Sequence, residues 1–489
     1  MSSPRSTNHT LPGGRRAKIV CTIGPATRSM GMIDRLVRAG MDVARLNFSH
    51  GTYAEHALTV TLIRAASECY RKPIAILADL PGPKIRTGTL EGGQPITLRA
   101  GQRFTIATDK RVGNVEGVSV NYDRLAAEVR KGDRILLADG LIELRVESSS
   151  GRRIATRVIS GGTMGEHKGV NLPGVRLGVS ALTPVDRKHL AFALRSGVNY
   201  IGVSFVRRAQ DILDAKAAVA RNGKKGTPII AKLEKPEAID NLESILEVSD
   251  GVMVARGDLG VEMSPERVPT VQKLVIARAR EALVPVITAT QMLESMTEHP
   301  RPTRAEASDV ANAIFDGSDA VMLSGETAAG KYPLESVAMM DRIVREAESH
   351  ITHFARPHPG SRMSVPDAVA DLICRASEEL NMKVIAVFTE TGSTARLISK
   401  NRPRPPIIAF SMNQATRRKI SLYWGVQPRT CVMVSDVEDM AAHAEKRLLE
   451  EKLVKRGDVV GIVAGTPFGI GGTTNLVKFH VVGGGAKAK

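Results

Sequence analysis

The sequence predicts an α/β protein: a (β/α)8 TIM barrel with an antiparallel β lid inserted into one loop, followed by a C-terminal α/β domain. Three observations predict it. Eight short apolar, β-branched runs recur over the first 350 residues, amphipathic helical stretches separate most of them, and one long interruption of different character lies between the third run and the fourth. Alternation of short buried strands with helices is the pattern of a parallel barrel closed on itself.

The eight strands are expected, in order, at Lys18–Thr22, Asp42–Asn47, Ile74–Asp79, Tyr200–Phe205, Ile229–Leu233, Gly251–Val254, Val286–Thr290 and Ala320–Leu323. Helices such as Val268–Leu283 and Arg304–Phe315 follow, the second announced by Thr303 and Glu306, a capping box. The barrel is assigned to residues 17–82 and 181–349, after a polar, basic tail at 1–16 that lacks the apolar core of a signal peptide. The interruption, 83–180, holds period-two runs such as Pro95–Arg99 and Arg134–Leu137 among frequent glycines. That pattern reads as a small antiparallel, barrel-like domain lying over the barrel mouth as a lid. From 350 to 489 the α/β pattern resumes, with strands expected at Val384–Phe388, Ile407–Ser411, Cys431–Val434, Val459–Val463 and Leu476–Val482.

Composition narrows the function classes. With 489 residues, the chain exceeds what one hydrophobic core serves. Hydrophobic residues at 43% and charged ones at 24% describe a soluble globular protein. Four scattered cysteines argue against a disulfide framework or zinc site and fit a reducing cytoplasm. No stretch approaches the roughly 20 apolar residues of a membrane helix. The net charge of +17 comes with only 3% aromatics and no tight basic block. It suits anionic small molecules rather than nucleic acid as a specific partner.

Active sites of such barrels lie at the carboxyl ends of the strands, so those ends supply the candidates. Lys232 and Glu234 stand at i and i+2 and project together from one strand end. Asp258 follows the next strand, flanked by glycine. Two carboxylates on neighbouring tips suit a hard divalent cation such as Mg²⁺, and the lysine suits charge building on a bound anion. The second strand offers Arg45, Asn47 and Ser49 at alternating positions; the third ends in Asp79 and runs into Lys84 and Arg86. Ser204, Thr290, Ser324 and Glu326 complete the tips. Cations for phosphate, carboxylates for metal and hydroxyls for proton relay together describe phosphoryl transfer.

The chain closely resembles the pyruvate kinase family along nearly its whole length. The stretches that carry the resemblance include Lys18-Ile19-Val20-Cys21-Thr22-Ile23-Gly24-Pro25, Ala44-Arg45-Leu46-Asn47-Phe48-Ser49-His50-Gly51, Gly82-Pro83-Lys84-Ile85-Arg86 and Lys168-Gly169-Val170-Asn171. Ala255-Arg256-Gly257-Asp258-Leu259-Gly260, Ala289-Thr290-Gln291-Met292-Leu293-Glu294 and Leu323-Ser324-Gly325-Glu326-Thr327 continue it in order. The resemblance implies transfer of a phosphoryl group from phosphoenolpyruvate to ADP, giving ATP and pyruvate, in a cytoplasmic homotetramer. It implies Mg²⁺ or Mn²⁺ on Glu234 and Asp258, and transition-state stabilisation by Lys232. Arg45 and Arg86 would position phosphate, and the backbone around Gly257 and Asp258, with Thr290, would hold the substrate carboxylate. Pro25, His50, Arg86, Asp139 and Lys168 would face the nucleotide; Thr290 and Ser324 are the proton-relay candidates.

Two departures from the family pattern shape further expectations. K⁺-dependent members hold the ion with residues matching Asn47, Ser49 and Asp79 plus a Thr where this chain has Leu80, and carry a Glu where it has Lys84. The Lys84 ammonium is expected to replace K⁺, so K⁺ is not required. In the C-terminal domain, Thr389, Thr391, Gly392, Ser393 and Thr394 match the family's sugar-phosphate effector loop. Glu390 stands where forms activated by fructose 1,6-bisphosphate carry a lysine, which points to a monophosphate effector or none. Alternatives are a Mg²⁺-dependent barrel lyase or aldolase acting on a pyruvate-like 2-oxo acid, a catalytically inactive regulator, and salt-sensitive RNA binding from the basic charge.

Overall fold

The computed structural model describes residues 14–175, 177–351, 364–466 and 473–484. Most of the expected tail, residues 1–13, lies outside them. Eight parallel strands close into a barrel: Lys18–Thr22, Val43–Asn47, Ala75–Asp79, Tyr200–Val203, Ile229–Leu233, Gly251–Ala255, Val286–Ala289 and Ala320–Leu323. The first pairs with the eighth, Lys18 opposite Ala320, and all other neighbours are consecutive barrel strands. Every strand is buried along most of its length because helices cover the outside, which is why the runs read as continuously apolar. The helix expected after Thr303 runs Arg304–Asp316 with the capping box intact.

Between the third and fourth barrel strands lies a six-stranded sheet with its own core around Phe104, Ile135 and Leu144. It is antiparallel except for one parallel pair, Arg103–Ala107 with Gly117–Ser119. The C-terminal sheet has five strands, and here one expectation is corrected. The expected strand at Cys431–Val434 is irregular chain; the strand runs Val426–Thr430 and pairs in parallel with Ile407–Ser411. Pro428 hid it from a sequence reading, yet an edge strand tolerates a residue that has no N–H to give.

The C-terminal domain seals the barrel at the amino ends of its strands. Side chains inside the barrel, such as Val20, Leu77 and Met253, share one apolar cluster with Ile398, Leu422 and Tyr423. Polar ties cross the same junction: Tyr200 Oη donates to Lys419 O at 2.8 Å, and Lys18 Nζ to Val426 O at 2.7 Å. Asp319 accepts from Lys400 Nζ at 2.8 Å and pairs with Arg402 at 3.0 Å, all three almost fully buried. The opposite, carboxyl ends of the strands are left for chemistry.

Candidate active site

At those ends the side chains form a chain of alternating charge. Arg45 Nη1 donates to Thr22 Oγ1 at 3.0 Å and its Nε to Asp79 Oδ2 at 2.7 Å. Asp79 Oδ1 lies 3.2 Å from Lys232 Nζ, which is 2.8 Å from Glu234 Oε1 and donates to Ser204 Oγ at 2.7 Å. Five barrel strands or their ends are thereby linked, the first, second, third, fourth and fifth. Lys232 and Glu234 do project together, as alternation on an extended strand requires. Opposite charges must meet here, because each would be costly to bury alone.

The electrostatics follow from that packing. Burial opposes the Lys232 ammonium, but Asp79 and Glu234 more than offset it and hold its pKa above the ordinary lysine value. Burial likewise opposes the Asp79 carboxylate, yet Lys232 and Arg45 keep it below the usual range. Glu234 is shifted the other way: burial pushes it up, and Lys232 offsets this only in part while the nearby Asp258 charge adds to it. A donor set of two mutually repelling carboxylates, one with both oxygens already placed, fits a divalent cation that completes its shell with substrate oxygens and water. Glu234 Oε2 is fixed by the Phe205 N–H at 2.8 Å. Among the described residues no group of three or more His, Cys, Asp or Glu is gathered for a metal.

Beyond this chain, several expected positions take a different form. Ser49 does not continue the alternation of Arg45 and Asn47: the strand stops at Asn47, whose Oδ1 accepts the Ser49 N–H at 3.1 Å, and Ser49 is exposed in the turn. Such side-chain capping ends a strand locally. The Gly257 N–H is not open to a ligand, because it donates to Thr290 Oγ1 at 2.7 Å while Thr290 Oγ1 donates to Ala289 O at 2.6 Å. Thr290 has φ 68, a strained value for a β-branched residue. Glu326 is structural: its carboxylate accepts the N–H groups of Leu293 and Ser324 and ties the seventh strand's loop to the eighth. Ser324 Oγ is buried and has no hydrogen-bond partner.

Arg86, Lys168, Asp139 and Lys84 sit at the lid edge. Arg86 Nη1 donates to His167 O at 3.2 Å; the Lys168 N–H donates to Thr87 Oγ1 and its carbonyl accepts the Thr87 N–H, each at 2.9 Å. Asp139 is exposed in a tight turn at φ 56, beside Gly169. Pro25 and His50 are exposed beyond the first and second strands. Leu80 is a core residue. Lys84 makes no ion pair with Asp79; its Cε lies near Gly169 on the lid. The C-terminal loop stands apart, on a recess of about 340 Å³. There Thr389 Oγ1 accepts the Gly392 N–H, Thr391 Oγ1 meets Ser393 Oγ at 3.1 Å, and Thr394 bonds Thr474 at 2.6 Å. Gly392 has φ 88, and a β-carbon there would lie 2.6 Å from Ile420 Cγ2, so only glycine fits.

Two groups were missed by sequence reasoning. Arg256 donates to Thr290 O and to Asp309 Oδ1, each at 2.7 Å, and so pins the strained loop. Its signal was an arginine placed directly after a buried apolar strand. Glu262 accepts from Lys235 Nζ at 2.6 Å and from Asn171 Nδ2 of the lid at 2.9 Å, joining lid to barrel. No local spacing reveals that tie.

Fold and site together define a barrel enzyme of the phosphotransferase class, with buried cations and paired carboxylates at the strand ends. The family model of the pyruvate kinase barrel domain matches residues 14–337, and that of the pyruvate kinase alpha/beta domain residues 367–480. The chain is 46% identical over 474 residues to a pyruvate kinase of Sporosarcina psychrophila, covering 96% of this chain and 81% of that protein. It is 44% identical over 473 residues to one from Geobacillus stearothermophilus, covering 96% and 80%. A crystal structure of a pyruvate kinase from Cryptosporidium parvum superposes with a TM-score of 0.90 at 38% identity, covering 96% of each chain. The chain belongs to the pyruvate kinase family. These relatives give the lyase or aldolase alternative no support. Among the described residues no helix is long and apolar enough to cross a membrane.

Proposed function

We propose that the chain is a cytoplasmic enzyme that transfers the phosphoryl group of phosphoenolpyruvate to ADP, giving ATP and pyruvate. The observation that carries this is the Lys232 ammonium, held by Asp79, Glu234 and Ser204 at the mouth of the barrel. The bond from phosphorus to the enol oxygen breaks as one to a terminal ADP oxygen forms, and the enolate carbon then takes a proton. Lys232 offers a fixed positive charge to the oxygen that gains negative charge. Arg45, steadied by Asp79, positions the phosphate, and Arg86 faces it from the lid side. The substrate carboxylate is assigned to the start of the helix Arg256–Glu262, at Asp258, with Gly257 placed through Thr290. Pro25, His50, Asp139 and Lys168 are assigned to the nucleotide. For the proton, the uncommitted Ser324 hydroxyl favours that residue over Thr290, whose hydroxyl already serves two partners.

Glu234 and Asp258 would hold Mg²⁺ or Mn²⁺, which when bound supplies positive charge to the transferring phosphoryl group. Glu234→Gln is expected to move the Mg²⁺ titration of activity to higher concentration by about tenfold or more. An unchanged titration removes Glu234 from the coordination shell. The whole assignment is tested by a coupled assay for pyruvate formed from phosphoenolpyruvate, ADP and Mg²⁺; no turnover rejects it. The family's homotetramer is the assembly we propose, and a sedimentation mass other than four chains rejects that.

K⁺ independence is retained as a proposal, with Lys84 supplying the charge. It requires the Lys84 stem to swing from the lid edge when phosphate binds, over a distance a flexible lysine spans. Activity in K⁺-free buffer with an organic counter-cation is expected to equal that with K⁺, whereas Lys84→Glu should become K⁺-dependent. A wild type that stays inactive until K⁺ is added defeats it. For regulation, the hydroxyls of Thr391, Ser393 and Thr394 at the start of the helix Ser393–Lys400 suit one phosphate group, and Glu390 disfavours a second. Activation by a nucleoside or sugar monophosphate, abolished by Ser393→Asp, is expected. Strong activation by fructose 1,6-bisphosphate contradicts it.

A further inference from the structure

The face of the barrel away from the strand ends carries another cationic site. A recess of about 240 Å³ opens where the helix Tyr53–Cys69 and the entry to the third barrel strand meet the C-terminal domain. Arg71 lines it from the barrel, and Arg417, Arg418, Arg429 and Arg447 line it from the C-terminal domain. Among the described residues, the carboxylates in ion-pair reach of these five are Glu68, 3.9 Å from Arg418, together with Glu451 and Glu450. Glu451 is shared, 2.8 Å from Arg429 and 3.3 Å from Arg447. Five guanidiniums facing three carboxylates leave a surplus of two positive charges.

The plainest explanation of arginines in such a place is compensation of helix C-termini. It suits Arg418 in the last turn of the short helix Gln414–Lys419, Arg447 in the last turn of Val437–Glu450, and Arg71 just after Tyr53–Cys69, whereas the Arg417 guanidinium donates to the carbonyls of Ser411 and Met412, ahead of its helix, at 2.7 and 2.8 Å. It does not account for Arg429, which comes from an edge strand, nor for the convergence of five arginines from both domains on one opening. Arg71 follows the helix Tyr53–Cys69 at φ 49, the left-handed conformation in which helices commonly end. Burial lowers the pKa of both Arg417 and Arg418, so part of this charge is already withdrawn from water, where an anion is held more strongly.

We propose that this recess binds a phosphate-bearing anion of two or more negative charges, held between the barrel and the C-terminal domain. Guanidinium forks match phosphate oxygens in pairs, and a diphosphate or a small phosphorylated organic molecule neutralises the surplus of two. Because the lining comes from both domains, a bound anion adds contacts across their junction and stabilises that arrangement by mass action.

The test is calorimetric titration with inorganic pyrophosphate in metal-free, low-salt buffer. Both the strand-end site and the C-terminal loop attract phosphate, so Lys232→Met and Ser393→Asp are run beside the wild type. The expected result is one binding component that both of these variants retain and that Arg417→Gln weakens by about tenfold or more, equivalent to 1.4 kcal/mol. Arg71→Asn, which suits the left-handed backbone and removes only the charge, should weaken the same component. Binding that survives both arginine substitutions, or that vanishes in Lys232→Met or Ser393→Asp, overturns the proposal, as does the absence of any binding. Repeating the titration with ribose 5-phosphate separates the sources. Tighter binding than pyrophosphate assigns an organic phosphate and weaker binding an inorganic one, and in either order Arg417→Gln must reduce it.

Discussion

Replacement of Lys232 by Met is expected to lower kcat by about a thousandfold or more, the scale on which loss of one group aimed at developing charge acts. KM for phosphoenolpyruvate should change far less, because a charge directed at the transition state contributes little to ground-state binding. The geometry gives the reason. Lys232 is 91% withdrawn from solvent and is held from three sides, by Asp79, Glu234 and Ser204, which fixes the place of its charge. The same burial predicts a structural cost, since Asp79 and Glu234 lose a shared partner. Arg45 still neutralises Asp79, so the barrel should remain folded with a lowered melting temperature. Steady-state kinetics with a circular dichroism control checks both statements. A fall in kcat within about tenfold, under 1.4 kcal/mol, would show that the reaction does not lean on this ammonium.

Asp319→Asn is the largest stability effect expected. The substitution keeps the size of the side chain and an acceptor for the Val286 N–H, but removes the carboxylate that Lys400 and Arg402 share in the buried junction. Breaking a buried pair costs about 3–5 kcal/mol, because the cations stay desolvated without compensation. A clear drop in melting temperature and faster proteolysis at the C-terminal domain are expected, and Lys400→Met added to it should restore part of the loss. An unchanged melting temperature would show that the junction rests on apolar packing alone. The pH dependence has a worked sign. Burial pushes Asp319 up, but Arg402 and Lys400 hold it below its ordinary value, so its contribution is present above about pH 4 and lost on acidification through the lower folded value. Lys400 acts in the same direction in another window: burial brings it from 10.5 to about 8, the unfolded chain binds more protons between these values, and stability rises with pH across them.

Most of the barrel was legible because its physics is local. Eight buried strands must be apolar on both faces, and each strand's chemistry must sit at its carboxyl end, so Arg45, Asp79, Lys232, Glu234 and Asp258 stood out by position. The Lys232–Glu234 pairing followed from the two-residue repeat of an extended chain. Misreadings occurred where a neighbour outside the segment decided the outcome. Ser49 was read as part of the alternation, but the Asn47 side chain ends the strand; Val426–Thr430 was passed over, but its edge position admits Pro428.

By itself, then, the sequence determined the barrel, the order of its strands and the residues offered at their tips, since periodicity and composition are written residue by residue. Only the tertiary structure decided that Asp79 stands between Arg45 and Lys232, that Thr290 takes the Gly257 N–H, and that Glu262 joins lid to barrel. It alone brought Arg71 beside Arg417, Arg429 and Arg447, and Asp319 beside Lys400 and Arg402. The physical reason is common to all of these. Buried charges and polar groups must be satisfied by whatever partner closure of the barrel and docking of the second domain bring within about 3 Å, and that partner lies far along the chain, 34 positions from Asp79 to Arg45 and 91 from Asn171 to Glu262.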